Sequence, residues 1–264
     1  MTREYSVMIE ENLYLVTVSD DREVLLKARE AGKICVGIWE KNGCEDLDIS
    51  AATYLVESIE SLTQEYLEQI VKRNLGLPWI IAETKRLIIR EFQIGDEWQI
   101  PKEAEDKEAD NLFRSSELLK SYIQHQYGFY EYGIWAVVEK ESGIIVGKAG
   151  VTNLNWETQK ATEQERETKS NYNQNNSQET YKVLKDGVEL GYHIFTLYRQ
   201  KGYGTEACQA ILAWCHEHLD CPIYAKIDRS NQASIRLAKA LGFELIDQKY
   251  SELGQWNGLY EWSC

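Results

Sequence analysis

The stretch from Val188 to Leu219 constrains this chain more than any other. Val188 to Phe195 (VELGYHIF) reads as a strand, a short connection leads to Gly202-Tyr203-Gly204, and Cys208, Ile211, Leu212, Cys215 and Leu219 then recur on one face of a helix. Strand, glycine loop and helix in that order make a place for an anion. Glycines let backbone N–H groups converge, and the unpaired N–H groups of a helix start add a favourable field. Such a site needs no basic surface, so a net charge of −14 is compatible with it.

The same charge makes a nucleic-acid partner unexpected, because phosphate backbones are bound by displacing counterions with Lys and Arg. An acidic surface attracts cations, amines among them, and also keeps a protein in solution. At 264 residues the chain suits one full domain plus a small one. No run of about 18 apolar residues occurs, so no membrane span is expected. Met1 to Asn12 has neither a basic start nor an unbroken apolar stretch, which predicts no export signal and a cytoplasmic protein. The six cysteines, Cys35, Cys44, Cys208, Cys215, Cys221 and Cys264, include no Cys-x-x-Cys pair. They read as buried reduced thiols, and no metal site is expected.

The first 79 residues predict a small three-layer α/β unit. Leu13 to Val18 is a buried strand, Asp20 with Glu23 caps a helix through Val24, Leu25, Ala28 and Ala31, and Ile34 to Trp39 is the next strand. Tyr54 to Val56 is a third, and Thr63 to Leu75 an amphipathic helix that stops at Gly76 and Pro78. Ser19-Asp20-Asp21 and Ala28 to Gly32 (AREAG) resemble the last part of a haloacid-dehalogenase-type phosphatase domain. That family needs a nucleophilic Asp on an earlier strand, and the sequence offers no such strand. The unit therefore reads as a non-catalytic appendage, with Asp20 a helix cap.

A second domain is expected over 83–264. Gly76 to Thr84 connects to a half-buried strand, Arg86 to Phe92 (RLIIREF). Residues 95–130 turn from polar to helical, with Leu112, Leu118, Leu119, Tyr122 and Ile123 as apolar positions. Trp135 to Glu139, the turn at Glu141-Ser142-Gly143, and Ile144 to Leu154 form a β-hairpin. Residues 157–180 are almost wholly polar and read as a long insertion between strands.

Gly202-x-Gly204-x-x-Ala207 also fits a dinucleotide fingerprint, with Asp228 as a ribose ligand. Context excludes it, since in that fold the strand runs directly into the first glycine. With Arg199 included, Arg199-Gln200-Lys201-Gly202-Tyr203-Gly204 matches the Arg/Gln-x-x-Gly-x-Gly/Ala loop of the GNAT N-acetyltransferases, which residues Glu83 to Trp262 resemble. Glu206-Ala207, the strand Ile223 to Asp228, Asn231-x-x-Ser234 and Leu241-Gly242-Phe243 follow in that family's order. Thr84 to Phe92 (TKRLIIREF) further resembles the branch containing the ribosomal-protein alanine acetyltransferases. The resemblance implies an α/β fold with a mixed, mostly antiparallel sheet flanked by helices. It also implies acetyl-CoA as co-substrate, without a metal. Pantetheine would pair with Ile194 and Phe195, and the pyrophosphate would sit on the amides of Gln200 to Thr205, across Lys201, Gly202, Tyr203 and Gly204, beside Arg199. Asn231 and Ser234 would complete the cofactor contacts.

Direct transfer to a primary amine, of a small molecule or a protein N-terminus, requires a base to take a proton from the ammonium. Alternation places Glu189, Gly191, His193 and Phe195 on one face of the strand, which makes Glu189 the first candidate base and His193 the second. The Phe195 amide is a candidate oxyanion donor. At the position where many family members carry a tyrosine acid this chain has Ala238, so Ser234 or Tyr203 must take that part. The alternative is a regulatory protein that binds acyl-CoA without turnover.

Overall fold

The protein is described by a computed structural model that covers residues 1–39, 52–103, 108–156, 184–250 and 256–263. The polar insertion at 157–180, Cys44 and Cys264 lie outside the described residues. Contacts gather the chain into two compact units, Met1–Gly150 with Tyr192–Trp214, and Val151–Gly191 with Cys215–Cys264. Among the described residues no helix is long and apolar enough to cross a membrane.

The first sheet has four strands in the order β1 (Thr2–Ile9), β2 (Asn12–Ser19), β3 (Ile34–Ile38) and β4 (Tyr54–Val56). The first pair is antiparallel and the others are parallel. Helix α1 (Arg22–Glu30) brings Leu25 and Ala28 onto Cys35, while α2 (Gln64–Asn74) brings Leu67, Ile70 and Val71 onto Val7, Val16, Val18, Ile34 and Val36. Cys35 alternates with Ile34 and Val36 along β3, so the two helices cover opposite faces. All five β3 residues are accordingly buried.

Two expectations need correction. The helix cap is Asp21, whose side chain accepts from the Glu23 and Val24 amides, while Asp20 pairs with the amino terminus of Met1. Cap identity turns on backbone angles, and Asp21 at φ −100°, ψ 116° is the last extended residue. A strand does precede β2. β1 escaped notice because it alternates exposed residues with only Val7 and Ile9 fully buried; its sequence TREYSVMI contains no Asp, so the nucleophile is still missing.

The second sheet has eight strands in the order β11-β12-β10-β9-β8-β7-β6-β5. They are β5 (Ile80–Glu83), β6 (Leu87–Arg90), β7 (Ile134–Glu139), β8 (Ile145–Asn153), β9 (Val188–Ile194), β10 (Ile223–Asp228), β11 (Phe243–Tyr250) and β12 (Trp256–Trp262). β5 occupies residues that the sequence suggests are mere connection; it is short, and its pairing with β6 is irregular between Ile80 and Ala82. The β7–β8 hairpin lies where the sequence predicts it, and β9 pairs in parallel with β10 at Ile223↔Val188 and Tyr224↔Glu189. The β5–β6, β6–β7, β7–β8, β10–β12 and β11–β12 pairs are antiparallel.

Segment 95–130 is only partly α-helical. It holds a 3-10 turn at Asp96–Gln99, another at Glu108–Arg114, helix α3 (Ser116–Tyr122) and a π turn at Ile123–Tyr127. The π turn aims two tyrosines at one backbone. Tyr127, fully buried, donates to the Ile134 carbonyl at 2.6 Å and accepts from the Phe92 amide at 3.2 Å, while Tyr122 accepts from the Ile134 amide at 2.6 Å. A Cβ on Gly133 would stand 2.6 Å from the Tyr122 hydroxyl, so that position admits glycine alone.

Arg73 of α2 and Glu91, just past β6, form an ion pair with side chains 4% and 2% exposed. Arg73 Nε and Nη2 both donate to Glu91 Oε1, at 3.0 and 2.5 Å, and Oε2 accepts from the Trp79 amide at 3.3 Å. Arg73 Nη1 has no hydrogen-bond partner among the described residues. Two charges this deep are tolerable only as a pair. Glu91→Gln should therefore lower the unfolding free energy in urea by about 3–5 kcal/mol, whereas Arg73→Met combined with Glu91→Leu should recover most of it. A single-variant loss under about 1 kcal/mol would show that water reaches the pair.

Helix α4 (Tyr203–His218) buries Cys208, Ile211, Leu212 and Cys215. Burial pushes the thiols of Cys208 and Cys215 up to about 12. Iodoacetamide at pH 8 should leave both unmodified in the native protein and label both in urea, as peptide mass analysis would reveal. Labelling at native-state rates matching a free thiol would contradict the packing.

Candidate functional site

β9 reaches its site by close packing on β8. The Phe195 amide donates to the Val146 carbonyl at 3.0 Å, and a Cβ on Gly147 would meet the His193 carbonyl at 2.5 Å. The oxyanion role considered for the Phe195 amide is thereby corrected, since that N–H is spent on the sheet. Ile194 and Phe195 are buried, and Glu189, Gly191, Tyr192 and His193 are half-buried, so burial departs from strict alternation at Tyr192 and Phe195.

After a 3-10 turn at Thr196–Tyr198 the chain enters the loop, where Gln200 has φ +62° and Gly202 φ +81°. A left-handed conformation at a non-glycine residue costs roughly 1–2 kcal/mol, and such outliers gather at ligand clamps. The first bond of the α4 ladder runs from the Glu206 amide to the Gly202 carbonyl at 3.1 Å. The N–H groups of Tyr203, Gly204 and Thr205 therefore lie ahead of the ladder, without intrahelical partners. Together with the helix dipole they fit an anionic group such as a pyrophosphate.

Glu103, which sequence reasoning missed, joins the end of β9 to the loop. Its Oε1 accepts from the Thr196 amide at 2.6 Å, and its Oε2 lies 2.7 Å from His193 Nε2 and 3.6 Å from Arg199 Nη2. Arg199 Nε in turn donates to the Ile194 carbonyl at 3.0 Å, and Nη2 lies 3.3 Å from His193 Nε2. Burial works against ionisation of Glu103, but the bonds from Thr196 and the proximity of His193 outweigh it and hold its carboxyl below the usual value. His193 and Arg199 are thus brought together by a third side chain.

A second cluster braces the start of α4. Glu206 Oε1 accepts from the Thr84 hydroxyl at 2.6 Å and the Arg86 amide at 2.9 Å, and Oε2 accepts from Arg86 Nε at 2.7 Å. Arg86 Nη1 donates to the Lys201 carbonyl at 2.8 Å. Burial opposes ionisation here too, and the bonds from Thr84 and Arg86 overcome it, so the Glu206 carboxyl is held low. Tyr203, 6% exposed, donates to Glu139 and lies under the Arg86 guanidinium, 4.7 Å from its ring centre. The bond to Glu139 and burial both raise the Tyr203 phenol. That phenol is committed to a carboxylate, which removes it as the acid the sequence allowed. The partners of Glu206 lie 120 and 122 positions away, too far in sequence to be foreseen.

In the second unit Asn231 caps α5 (Gln232–Ala240), its Oδ1 accepting from the Ser234 amide at 3.1 Å. Ser234 is half-buried, and Ala238 is buried beneath the helix. Val188 and Glu189 hold the parallel register with β10, and a Cβ on Gly187 would meet the Pro222 carbonyl at 2.4 Å. Among the described residues no group of three or more His, Cys, Asp or Glu could hold a metal.

The family model of an acetyltransferase (GNAT) domain matches residues 78–244, more than half of the chain. Similar solved structures include a protein assigned to the GnaT acetyltransferase family from Bordetella pertussis, 20% identical, with TM-score 0.49, covering 69% of this chain and 98% of its own. The ribosomal-protein-S5-alanine acetyltransferase of Vibrio fischeri is 16% identical, with TM-score 0.49 and coverage of 70% and 95%. An acetyltransferase from Agrobacterium tumefaciens is 15% identical, with TM-score 0.45 and coverage of 69% and 94%. Through the family match, which spans the strand, glycine loop and helix described above, this chain belongs to the GNAT family of acetyl-CoA-dependent acetyltransferases.

Proposed function

We propose that the protein transfers acetyl from acetyl-CoA directly to a primary amine, of a small molecule or a protein N-terminus. The observation that carries this reading is the loop of Arg199 to Thr205, with Gln200 and Gly202 left-handed and three helix-start amides ahead of the ladder. In this reading Gln200 to Thr205 receive the pyrophosphate and Ile194 and Phe195 flank the pantetheine. Arg199 supports the loop, and Asn231 and Ser234 add the remaining contacts. Residues 1–79 form an appendage of haloacid-dehalogenase-like descent, and 83–264 the transferase domain.

Acetyl-CoA supplies the activated thioester carbonyl. The protein's part is to bind it, orient the amine, and move protons: the amine nitrogen bonds to the acetyl carbon, the carbon–sulfur bond breaks, and the ammonium proton goes to a base. Glu189 is the first candidate base. His193 is the second, and its case is strengthened by Glu103, because a carboxylate on Nε2 fixes the tautomer and leaves Nδ1 as the lone pair. Transfer through an acyl-cysteine is disfavoured by burial, which raises the thiols of Cys35, Cys208, Cys215 and Cys221 above their usual values.

Titration calorimetry should detect acetyl-CoA binding, and Gly202→Val should abolish it, since a side chain there meets both an unfavourable φ and Arg86 at 3.3 Å. No heat of binding with the unaltered protein would end this reading. In an amine acetylation assay, loss of the base should lower kcat by about 10²–10⁴-fold with the acetyl-CoA KM little changed. Glu189→Gln is expected to do so, and His193→Gln to leave most of kcat; the reverse pattern transfers the role to His193, and two near-normal enzymes would exclude both.

A further inference from the structure

We propose that Arg86 is a positioning residue that presets the glycine loop for the nucleotide half of acetyl-CoA. The inference rests on the cofactor reading above. Arg86 stands at the β5–β6 turn, far from the loop in sequence, yet it makes four kinds of contact there. Its backbone amide and its Nε bind the two oxygens of Glu206 separately, at 2.9 and 2.7 Å, and Nη2 lies 2.6 Å from Oε2. Nη1 holds the Lys201 carbonyl at 2.8 Å, between the two left-handed residues Gln200 and Gly202. Its guanidinium covers the Tyr203 ring at 4.7 Å. Thr84 adds a hydroxyl to Glu206 Oε1 at 2.6 Å.

Stability alone does not account for so many contacts. The Arg86 side chain is 42% exposed and that of Glu206 18%, and ion pairs in that range add little to folding. What they fix is geometry. The Lys201 carbonyl orients the peptide that joins the left-handed residues, and Glu206 fixes the first turn whose amides face the anion. Gly202 follows from the same arrangement: a Cβ there would come within 3.3 Å of Arg86 Nη2, so the glycine makes room for the guanidinium as well as supplying the positive φ. A planar fork is needed, because Nε and Nη2 meet Glu206 Oε2 while Nη1 reaches the Lys201 carbonyl, two acceptors that an ammonium on a flexible stem does not hold at once. A loop already held in its binding shape spares the ordering cost on association, so the effect belongs in affinity.

The test compares the intact protein with Arg86→Met, Arg86→Lys and Thr84→Val. Calorimetry with acetyl-CoA and with 3′-phosphoadenosine 5′-diphosphate, its nucleotide half, is combined with steady-state kinetics and a thermal melt. Arg86→Met should weaken both ligands by about tenfold to a hundredfold, in keeping with loss of charged hydrogen bonds. The acetyl-CoA KM should rise in parallel, while the amine KM and the kcat at saturating acetyl-CoA change less than about threefold. Arg86→Lys should recover only part of the affinity, and Thr84→Val should show a smaller loss of the same kind. Both substitutions also serve if Arg86→Met fails to fold. A lower melting temperature with ligand affinities within about twofold of the intact protein in the folded variants would overturn the inference. So would full recovery by lysine. If the intact protein bound neither ligand, the cofactor reading would fail first and be recognised as the cause.

Discussion

The carboxylate of Glu206 is the point on which the site's geometry turns. It is held by a hydroxyl, a backbone amide and a guanidinium from the β5–β6 turn. An acid in the first turn of a helix is favoured by the dipole in any protein, but that attraction is diffuse and amounts to under about 1 kcal/mol at an exposed end. Directional bonds from Thr84 and Arg86 convert it into a fixed position. Since Arg86 reaches on to the Lys201 carbonyl, the loop inherits its shape from the same group. A protein with net charge −14 can thus keep an anion site, because the attraction comes from oriented amides while the nearby cation is already neutralised by its own carboxylate.

A parallel economy operates at the end of β9. Phe195 gives its amide to β8, and Thr196 gives the next exposed one to Glu103, so the strand leaves the sheet with its backbone donors already assigned. Glu103 joins the imidazole of His193, the guanidinium of Arg199 and the Thr196 amide in one cluster. Burial opposes ionisation of Glu103, and the bonds from Thr196 with the proximity of His193 outweigh it, so its carboxyl is held below the usual value. The imidazole is thereby oriented by a carboxylate that is itself anchored to the backbone.

Sequence periodicity exposed the elements and hid their partners. β9, α4, β10 and α5 lie where alternation and helical spacing put them, and the cap at Asn231 follows from local chemistry within three residues. Arg86, Glu103 and Glu139 left no comparable signal. Glu206 meets Arg86 across 120 positions, His193 meets Glu103 across 90 and Tyr203 meets Glu139 across 64, and no local pattern encodes such pairs. β1 and β5 are obscured for another reason: β1 begins with three exposed polar residues, and β5 is four residues long with Ile80, Ile81 and Ala82 in an unbroken apolar run, so neither shows a clear alternation. The Asp20 and Asp21 exchange is smaller still, because adjacent acids are equivalent by composition and differ only in φ and ψ.

The missing tyrosine at Ala238 is a lesser obstacle to catalysis than the choice of base. A thiol has a pKa near 8.5, so a departing thiolate is only about one unit short of persisting in neutral water and can take its proton from solvent. An ammonium, whose pKa runs from near 8 for a protein N-terminus to near 10.4 for an alkylamine, cannot attack at all until it is deprotonated, so the incoming side always needs a proton acceptor. Burial of Ala238 and the commitment of the Tyr203 phenol to Glu139 are therefore consistent with an active transferase. A carboxylate and an imidazole both stand on β9, at Glu189 and His193, and the second is held by Glu103, whose other oxygen is anchored to the backbone of the same strand end.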